Sequence, residues 1–416
     1  MFIPSTVKNK IINDPVYGFI SINDPLILAV IDHPWFQRLR RIKQLGLTSF
    51  VYPGALHTRF HHAIGAMHLM NSCIAVLREK GFSISEDEKR AALLAILLHD
   101  IGHGPFSHAL EGTLIEDAHH EDLSLLFISR LNEIFNGELS LAMQIFSDKY
   151  PRKFLHKLVS GQLDMDRLDY LRRDSFFTGV SEGIINSDRI ISMLSLVDDE
   201  PVVESKGIYS VEKFVVARRL MYWQVYLHKT VISAERLLVG VIKRAAELLR
   251  RGEKFFCVPA LMPFLKAEIT AGDIIAQPDA LQAFAMIDDD DVFASVKAWQ
   301  SHPDKVLSFL ASCLVNRRLF KTEIMQSPPS AEYLSQLHSA LCNKFPFATE
   351  NPGYLLDSGS LSNNAYAAGE SGIKILYRTG ELLDLAAAAD QLNISVLSSP
   401  VQKYYLCYPK ELSNNS

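Results

Sequence analysis

The tract His99-Asp100-Ile101-Gly102-His103-Gly104-Pro105-Phe106-Ser107-His108 places three imidazoles and a carboxylate within ten residues. It directly follows residues 91–98, an apolar run that predicts a buried helix. Groups that are costly to desolvate end such a helix only where a partner compensates that cost. Imidazole and carboxylate ligands together suit first-row divalent metal ions. The tract therefore predicts a metal site with catalytic chemistry.

Histidine is concentrated around this tract. Nine of the fourteen histidines lie between His57 and His120, where an even spread would place about two. They form three groups at predicted helix ends, and a fourth group, over residues 164–174, is rich in aspartate. The clustering indicates one shared site built from separate stretches of the chain.

His99 and Asp100 cannot close a coordination sphere by themselves. Neighbouring residues on a helix are about 100° apart, so both reach one ion only at the end of their helix. Further imidazole and carboxylate ligands are available at His61 or His62 and at Asp164 or Asp166. Two imidazoles and two carboxylates leave positions open for water and substrate. The residues alone predict a metal-dependent hydrolase acting on an anionic substrate.

Several of these side chains also have an ordinary structural interpretation. A lone histidine on an apolar face is more often a core residue than a ligand, which we apply to His68, His156, His302 and His338. His57 suits a capping or packing residue as well as a functional one. Asp164, Asp169 and Asp174 suit helix caps or partners of nearby arginines, so the spacing supports one carboxylate ligand.

Composition narrows the class of protein. The 416 residues, 48% of them hydrophobic, are enough for one large core or for two to three domains. A net charge of -5 argues against a protein that coats nucleic acid or an anionic membrane. The five cysteines are scattered and without a CxxC motif, which indicates free thiols. Neither a signal peptide nor an apolar run of roughly 18 residues is present, so we expect a cytoplasmic protein.

Helical periodicity dominates the chain to about residue 251. Helices are predicted from Asp32 and over 62–80, 85–98, 121–135, 211–226 and 232–249, with a short strand over 208–210. The acidic run 288–291 is predicted to be a solvated helix cap or turn rather than a cation site. We expect a loop over 351–372, strands over 373–376, 394–397 and 403–408, and a helix over 381–392. This pattern indicates a smaller α+β lobe over 252–416.

These features resemble the HD superfamily of metal-dependent phosphohydrolases, named for the adjacent His-Asp pair. The resemblance is strongest to the deoxynucleoside triphosphate triphosphohydrolases of the sterile-alpha-motif and HD-domain type, without the sterile-alpha-motif domain. It covers roughly residues 1–250, and the matching motifs are 13–18, 36–40, 42–46, 51–55, the His-Asp tract and 163–174. It implies a mainly α fold with a helical HD-domain core over 1–251.

The resemblance also implies roles for single residues. It implies a divalent metal ion held by His62, His99, Asp100 and Asp166, and a catalytic set of Arg59, His103, His108, Glu111 and His120. It places Gln44 and Leu45 at the sugar, Tyr170 and Asp174 at the 3′-hydroxyl, and Arg167, Arg218 and Tyr226 at phosphates or base. An activating nucleotide is implied at Asp32, Gln37 and Arg40.

Two positions depart from the family pattern. His61 stands where the family usually has an acid, and Glu111 stands where it usually has Asp. Both changes are chemically mild. We expect the carboxylate of Glu111 to lie beside His108, whose imidazole donates a proton to the leaving 5′ oxygen.

The sequence thus predicts an enzyme that cleaves deoxynucleoside triphosphates to deoxynucleoside and tripolyphosphate, and that assembles as a homo-oligomer. One divalent ion per site is expected from Fe, Mn, Co, Ni or Mg, with further Mg²⁺ accompanying the triphosphate. Mixed nitrogen and oxygen ligands suit transition metals better than Mg²⁺. The alternatives are an HD-type phosphodiesterase or 5′-nucleotidase, and a nucleotide-sensing module without activity.

Overall fold

The computed structural model describes residues 9–369, 372–390 and 394–413, which are mainly helical, as predicted. The helices before residue 252 are α1 Pro25–Asp32, α2 Pro34–Gln37, α3 Arg59–Glu79, α4 Glu86–Leu98, α5 His120–Ile134, α6 Ser140–Phe146, α7 Lys153–Val159, α8 Met165–Thr178, α9 Ser187–Met193, α10 Ile208–Met221 and α11 Lys229–Arg250. Those after it are α12 Met262–Lys266, α13 Ala271–Ala276, α14 Pro278–Phe284, α15 Asp289–Trp299, α16 Lys305–Val315, α17 Ala331–Lys344, α18 Leu385–Ala388 and α19 Ile394–Leu397.

The strands form small sheets at the periphery of the helices. β1 (Lys10–Asp14) and β2 (Gly18–Ile22) make an antiparallel hairpin. A second sheet has the order β3-β4-β7-β8, with the strands β3 Leu194–Val197, β4 Glu200–Glu204, β7 Lys374–Leu376 and β8 Leu382–Asp384. A third has the order β5-β9-β6, with β5 Lys321–Met325, β6 Asp357–Asn363 and β9 Val401–Tyr408.

Local capping determines where the helices around the histidines begin. Ser85 and Glu88 form a reciprocal capping box at the start of α4. The side chain of Asp164 accepts a hydrogen bond from the backbone N–H of Arg167 and caps α8. Gly179, at φ 74°, ends α8 in the left-handed conformation that favours glycine.

Three of these helices pack against one another and bring their ends together. Helix α3 lies against both α4 and α8. Residues 91–98 of α4 are buried as predicted, so the polar tract that follows them starts inside the protein. The beginning of α3, the end of α4 and the beginning of α8 therefore meet at one place.

The predicted domain boundary at residue 251 stays a prediction. Strand β4, which precedes it, pairs in parallel with β7, which follows it. Helix α11 packs along α16 on the other side of the boundary. The two parts of the chain share one apolar core.

Several local predictions are wrong. Residues 208–210 are the first turn of α10 rather than a strand, and 394–397 are the short helix α19. The predicted helix over 381–392 is β8 followed by α18, with 391–393 outside the described residues. The predicted loop over 351–372 contains β6, whose Ser- and Gly-rich sequence forms a strand because β9 offers it a partner edge.

For the acidic run over 288–291, the predicted helix cap is confirmed and the predicted exposure to solvent is wrong for two residues. Asp288 does cap α15, and its side chain accepts a hydrogen bond from the backbone N–H of Asp290. Asp288 and Asp289 are buried rather than solvated. Across the described ranges of the chain, the helices are too short or too polar to cross a membrane.

Candidate active site

Two imidazoles and two carboxylates meet where the three helix ends converge. The Nε2 of His62 is 3.3 Å from the Nε2 of His99 and 3.1 Å from Oδ1 of Asp166. The Nε2 of His99 is 3.4 Å from Oδ1 of Asp100 and 3.5 Å from Oδ1 of Asp166. The ligand atoms of His62, His99 and Asp100 lie close enough together to hold a divalent metal ion, and Asp166 contacts both histidines of that set. The structure thus brings together the four residues that the resemblance implied as ligands; their binding of metal stays a prediction.

Both histidines turn the same nitrogen toward the cluster. The Nδ1 of His62 donates to Oδ2 of Asp169 at 2.7 Å, and the Nδ1 of His99 donates to the carbonyl of Ile96 at 2.6 Å. Each Nε2 therefore faces the other atoms of the cluster and is the nitrogen that a cation would take in place of a proton. Asp169 is fully buried and accepts two further bonds from Arg173 at 2.9 and 3.0 Å.

The charges of this cluster attract a cation. Burial by itself lowers the pKa of His62, but hydrogen bonds to Asp166 and Asp169 outweigh it and raise the pKa to about 10. Burial raises the pKa of Asp100, yet the neighbouring Arg59 and His99 hold it well below its usual range. The carboxylates that favour a proton on His62 favour a metal ion in the same way.

The structure distinguishes the alternatives that spacing left open. His61 is the N3 residue of α3, and its Nδ1 lies 3.2 Å from the backbone nitrogen of Thr58 and 2.9 Å from its hydroxyl. It closes a capping box, the role that an acid at N3 usually has, which explains why this departure is tolerated. Asp164 accepts bonds from the backbone N–H groups of Gly161 and Arg167 and is a cap.

Arg59 borders the cluster of His62, His99, Asp100 and Asp166. Its guanidinium is buried, with Nη1 paired with Oδ2 of Asp100 and Nε donating to the hydroxyl of Ser107 at 3.0 Å. Ser107 in turn donates to the carbonyl of Lys43 at 2.9 Å. This arginine can place a fixed positive charge beside a phosphate held at the cluster.

A second group of histidines lies beside the first. The rings of His103 and His120 stack at 4.0 Å, and the ring of His108 meets them edge-on at 5.0 and 5.2 Å. Glu111 bridges two of them, with Oε2 2.8 Å from Nδ1 of His108 and Oε1 2.9 Å from Nδ1 of His120. These bonds hold the pKa of Glu111 well below its usual range, although burial opposes them.

The two groups are linked through His103. Its Nδ1 is 3.3 Å from the carbonyl of Asp100, and its Nε2 is buried without a hydrogen-bond partner among the described residues. Burial and the charge of Arg59 hold the pKa of His103 well below its usual range, so its ring is neutral. His108 is the most exposed member, with 64% of its side chain accessible.

The predicted sugar residues lie further along α8. The hydroxyl of Tyr226 donates to Oδ2 of Asp174 at 2.7 Å, and the ring of Tyr226 lies 6.2 Å from that of Tyr170. Tyr226 ends a π-helical turn over 222–226, an irregularity frequent at functional sites. The side-chain oxygen of Gln44 is buried and has no hydrogen-bond partner within residues 9–369, 372–390 and 394–413, and Leu45 packs at the edge of the core.

Arg167 and Arg218, two of the residues predicted to bind phosphates or base, each have an N–H group without a partner among the described residues. Arg167 pairs with Asp164, but its Nε and the Nε of Arg218 are buried and without a hydrogen-bond partner in the described part of the chain. Both cations lower the pKa of Tyr170, which burial raises overall, so both lie near its hydroxyl. Unpaired guanidinium N–H groups of this kind suit an anionic ligand.

The predicted activator residues form one surface patch. Asp32 pairs with Lys10 at 2.8 Å, and Arg40 donates from Nε to Gln37 at 2.8 Å while lying over the ring of Phe60. Binding of a nucleotide by this patch stays a prediction.

Sequence reasoning missed the residues that support the catalytic tract. Phe106 and Ser107 have positive φ values of 56° and 54°. The carboxylate of Asp289 accepts bonds from the backbone N–H of Phe106 at 2.7 Å and of Lys43 at 3.0 Å. Fully buried Arg38 donates to the carbonyls of residues 101, 103 and 287. These contacts join residues up to 249 positions apart, so no pattern of neighbouring residues in the sequence predicts them.

The sequence predicts that Asp169 is a helix cap or an arginine partner, and the structure confirms the arginine, since Arg173 donates to it. Its bond to His62 could have been found from spacing, because it lies three residues after Asp166 and therefore on a neighbouring face of the same helix. His57, for which the sequence left packing and a functional role open, is buried, stacks on Phe177 and lies 2.7 Å from Asp174.

Comparison with known proteins gives a consistent result. The HD domain family matches residues 59–173, and an HD-associated region matches residues 185–254. A solved structure of a phosphohydrolase from Bacteroides thetaiotaomicron is 51% identical with a TM-score of 0.93, over 96% of this chain and 100% of that one.

Two relatives are similar in sequence. An uncharacterized protein of Bacillus subtilis is 30% identical over 97% of this chain and 93% of its own length. A deoxynucleoside triphosphate triphosphohydrolase SAMHD1 homologue of Dictyostelium discoideum is 33% identical over 59% of this chain. The match covers 51% of the Dictyostelium protein, about half of its length.

Proposed function

Because this chain belongs to the HD-domain phosphohydrolases, we propose that it hydrolyses deoxynucleoside triphosphates to a deoxynucleoside and tripolyphosphate. The observation that carries the proposal is one face of α8, where Asp166 is followed at four-residue intervals by Tyr170 and Asp174. Residues four apart share a helix face, so the cation cluster and two hydroxyl-binding side chains line the same side. The similarity to the Dictyostelium triphosphohydrolase supports the same substrate class.

The donor set of the cluster fits a divalent transition metal ion. His62, His99, Asp100 and Asp166 would hold it through two Nε2 atoms and two carboxylates. When bound, such an ion supplies Lewis acidity that polarises a phosphoryl oxygen and activates a water molecule.

The protein's own side chains have distinct roles in this reaction. Water adds to the α-phosphorus and the bond to the nucleoside 5′ oxygen breaks, so charge must be stabilised on the phosphoryl oxygens and a proton delivered to the leaving oxygen. Arg59 supplies fixed positive charge beside the cluster. Exposed His108 delivers the proton, while ionised Glu111 orients its ring and that of His120. Neutral His103 offers its bare Nε2 as an acceptor.

The nucleoside is held at the other end of α8. Tyr170 and Asp174 bind the 3′-hydroxyl, and the packing of Gln44 and Leu45 excludes a 2′-hydroxyl. Arg167 and Arg218 use their free N–H groups on the phosphates.

The test is a screen of all deoxyribo- and ribonucleoside triphosphates with Mn²⁺, Fe²⁺, Co²⁺, Ni²⁺ and Mg²⁺, with products resolved by phosphorus NMR. We expect tripolyphosphate from deoxynucleotides and little turnover of ribonucleotides. Asp166→Asn is the matched control, because it keeps the size of the side chain and removes one ligand charge. Release of pyrophosphate or monophosphate, or no turnover of any deoxynucleotide with any metal, would overturn the proposal in favour of another nucleotide or a non-catalytic role.

A further inference from the structure

His57 belongs to a buried hydrogen-bonded chain that the catalytic roles above do not use. Its Nε2 lies 2.7 Å from Oδ1 of Asp174, whose Oδ2 accepts the hydroxyl of Tyr226 at 2.7 Å. His57 is 2% exposed and Asp174 is 1% exposed. Both oxygens of Asp174 are therefore held, one by each partner, in a fixed plane.

The ring of His57 is seated by the end of α8. It stacks on the ring of Phe177 at 4.5 Å and an interplanar angle of 19°. Gly54 permits this approach, because a Cβ there would lie 2.5 Å from the carbonyl oxygen of Phe177. A side chain at residue 54 would push the loop over 51–57 away from α8.

The same loop also holds the other partner of Asp174. The hydroxyl of Tyr52 donates to the carbonyl of Gln224 at 2.7 Å, inside the π-helical turn that ends at Tyr226. The loop over 51–57 therefore braces Asp174 through His57 and Tyr226 through Tyr52. These contacts explain the structural roles of Tyr52 and Gly54 in the motif over residues 51–55.

We propose that His57 is a positioning residue for sugar recognition: its Nε2–H fixes the carboxylate of Asp174 so that it accepts the 3′-hydroxyl of the substrate. This inference rests on the proposed function. A carboxylate with one donor on each oxygen keeps lone pairs for a third donor but cannot rotate. A recognition group fixed in advance discriminates more strongly than one that must be ordered on binding.

The experiment compares His57→Gln with His57→Asn. Both introduce a carboxamide, but only the longer Gln side chain carries its N–H to the place of the histidine Nε2. Turnover of each deoxynucleotide and of its 2′,3′-dideoxy counterpart is measured with the metal-loaded protein. We expect the wild type and His57→Gln to prefer the deoxynucleotide, and His57→Asn to lose at least about tenfold of that preference. The loss comes from slower turnover of the deoxynucleotide, with that of the dideoxynucleotide unchanged.

Controls separate recognition from folding. His156→Asn replaces a half-buried histidine outside the proposed site, whose Nδ1 donates to the carbonyl of Ile145 at 2.9 Å, and is expected to leave the preference intact. Thermal unfolding of every variant checks the fold. An unchanged preference in a folded His57→Asn protein, or no preference in the wild type, overturns the inference while the proposed function stands. A wild type that hydrolyses no deoxynucleotide overturns both.

Discussion

The direction of single nitrogen atoms decides what this histidine-rich site can do. The Nδ1 atoms of His62 and His99 donate to Asp169 and to a backbone carbonyl, so both Nε2 atoms are left for a cation. His108 spends its Nδ1 on Glu111, which leaves its Nε2 for the substrate. In the proposed function the second hydrogen bond of each histidine therefore decides whether it serves as a metal ligand, as His62 and His99 would, or as a proton donor, as His108 would.

Asp169→Asn tests this division at the residue scale. The amide is neutral, so His62 loses a charged partner and becomes a weaker ligand. We expect metal affinity to fall by about 10- to 100-fold, measured by isothermal titration with Mn²⁺. Asp188→Asn is the control, because Asp188 is an exposed partner of Arg172. Equal affinities of the two variants would contradict the role given to Asp169.

At the scale of elements, α8 connects the cluster of His62, His99, Asp100 and Asp166 to the proposed sugar subsite, and α11 begins shortly after Tyr226. Helix α8 carries Asp166 of the cluster at its start and Asp174, the proposed sugar-binding carboxylate, near its end. Helix α11 follows the π-helical turn directly and contacts the segment 46–50 and β5. Its stability is thus coupled to the position of Tyr226.

Glu235 makes the stability of α11 dependent on pH. Burial raises its pKa to about 7, above the value of about 4.3 for an unfolded chain. The stability contributed by its protonated form is therefore full below about pH 4 and is lost as pH rises through 7. We expect Glu235→Gln to raise the free energy of unfolding by about 1–3 kcal/mol at pH 8.5 and much less at pH 5.

Glu247→Gln on the same helix is the matched control with the opposite sign. Burial raises the pKa of Glu247, but bonds from Arg244 and Tyr354 outweigh it and lower the pKa overall. Its contribution is present above the unfolded pKa and is lost in acid, so this variant is destabilised at pH 8.5. Urea unfolding at both pH values measures the two effects. A shift of Glu235→Gln that is equal at pH 5 and pH 8.5 would refute the assignment.

At the scale of the whole molecule, residues after 251 make hydrogen bonds with the His-Asp tract over residues 99–108. Asp289 holds two backbone N–H groups, one beside His103 and His108 in sequence and one beside Gln44. Arg38 ties residues 101 and 103 to residue 287. The site is therefore complete only with both parts of the chain in place.

Asp289→Ala tests this dependence. Each buried N–H left without a partner costs about 1–3 kcal/mol, and the left-handed residues Phe106 and Ser107 lose their restraint. We expect turnover to fall about tenfold or more, the free energy of unfolding to decrease, and metal affinity to stay unchanged. Asp290→Ala, at an exposed neighbour, should leave all three unaffected. Unaltered turnover in folded Asp289→Ala would show that the His-Asp tract keeps its position without Asp289.

Much of the site is readable from the sequence because its signals are local. The His-Asp pair follows a buried helix, and the capping residues of α4 and α8 stand next to those helices in sequence. The resemblance to the HD superfamily then implied which four residues form the cluster. The choice of His62 over His61 also has a local reason, since the N3 position commits His61 to the cap.

What the sequence by itself determined is thus the helical class, the His99–Asp100 pair and, through its resemblance, the family of the chain and the residues implied for the cluster. Only the tertiary structure decided the partners of those residues: Asp169 behind His62, His57 behind Asp174 and Asp289 behind Phe106. It also decided that 357–363 is a strand and that Asp288 and Asp289 are buried. The reason is physical, because a cap or an amphipathic helix depends on residues three or four apart, whereas these contacts join residues 107 to 183 positions apart.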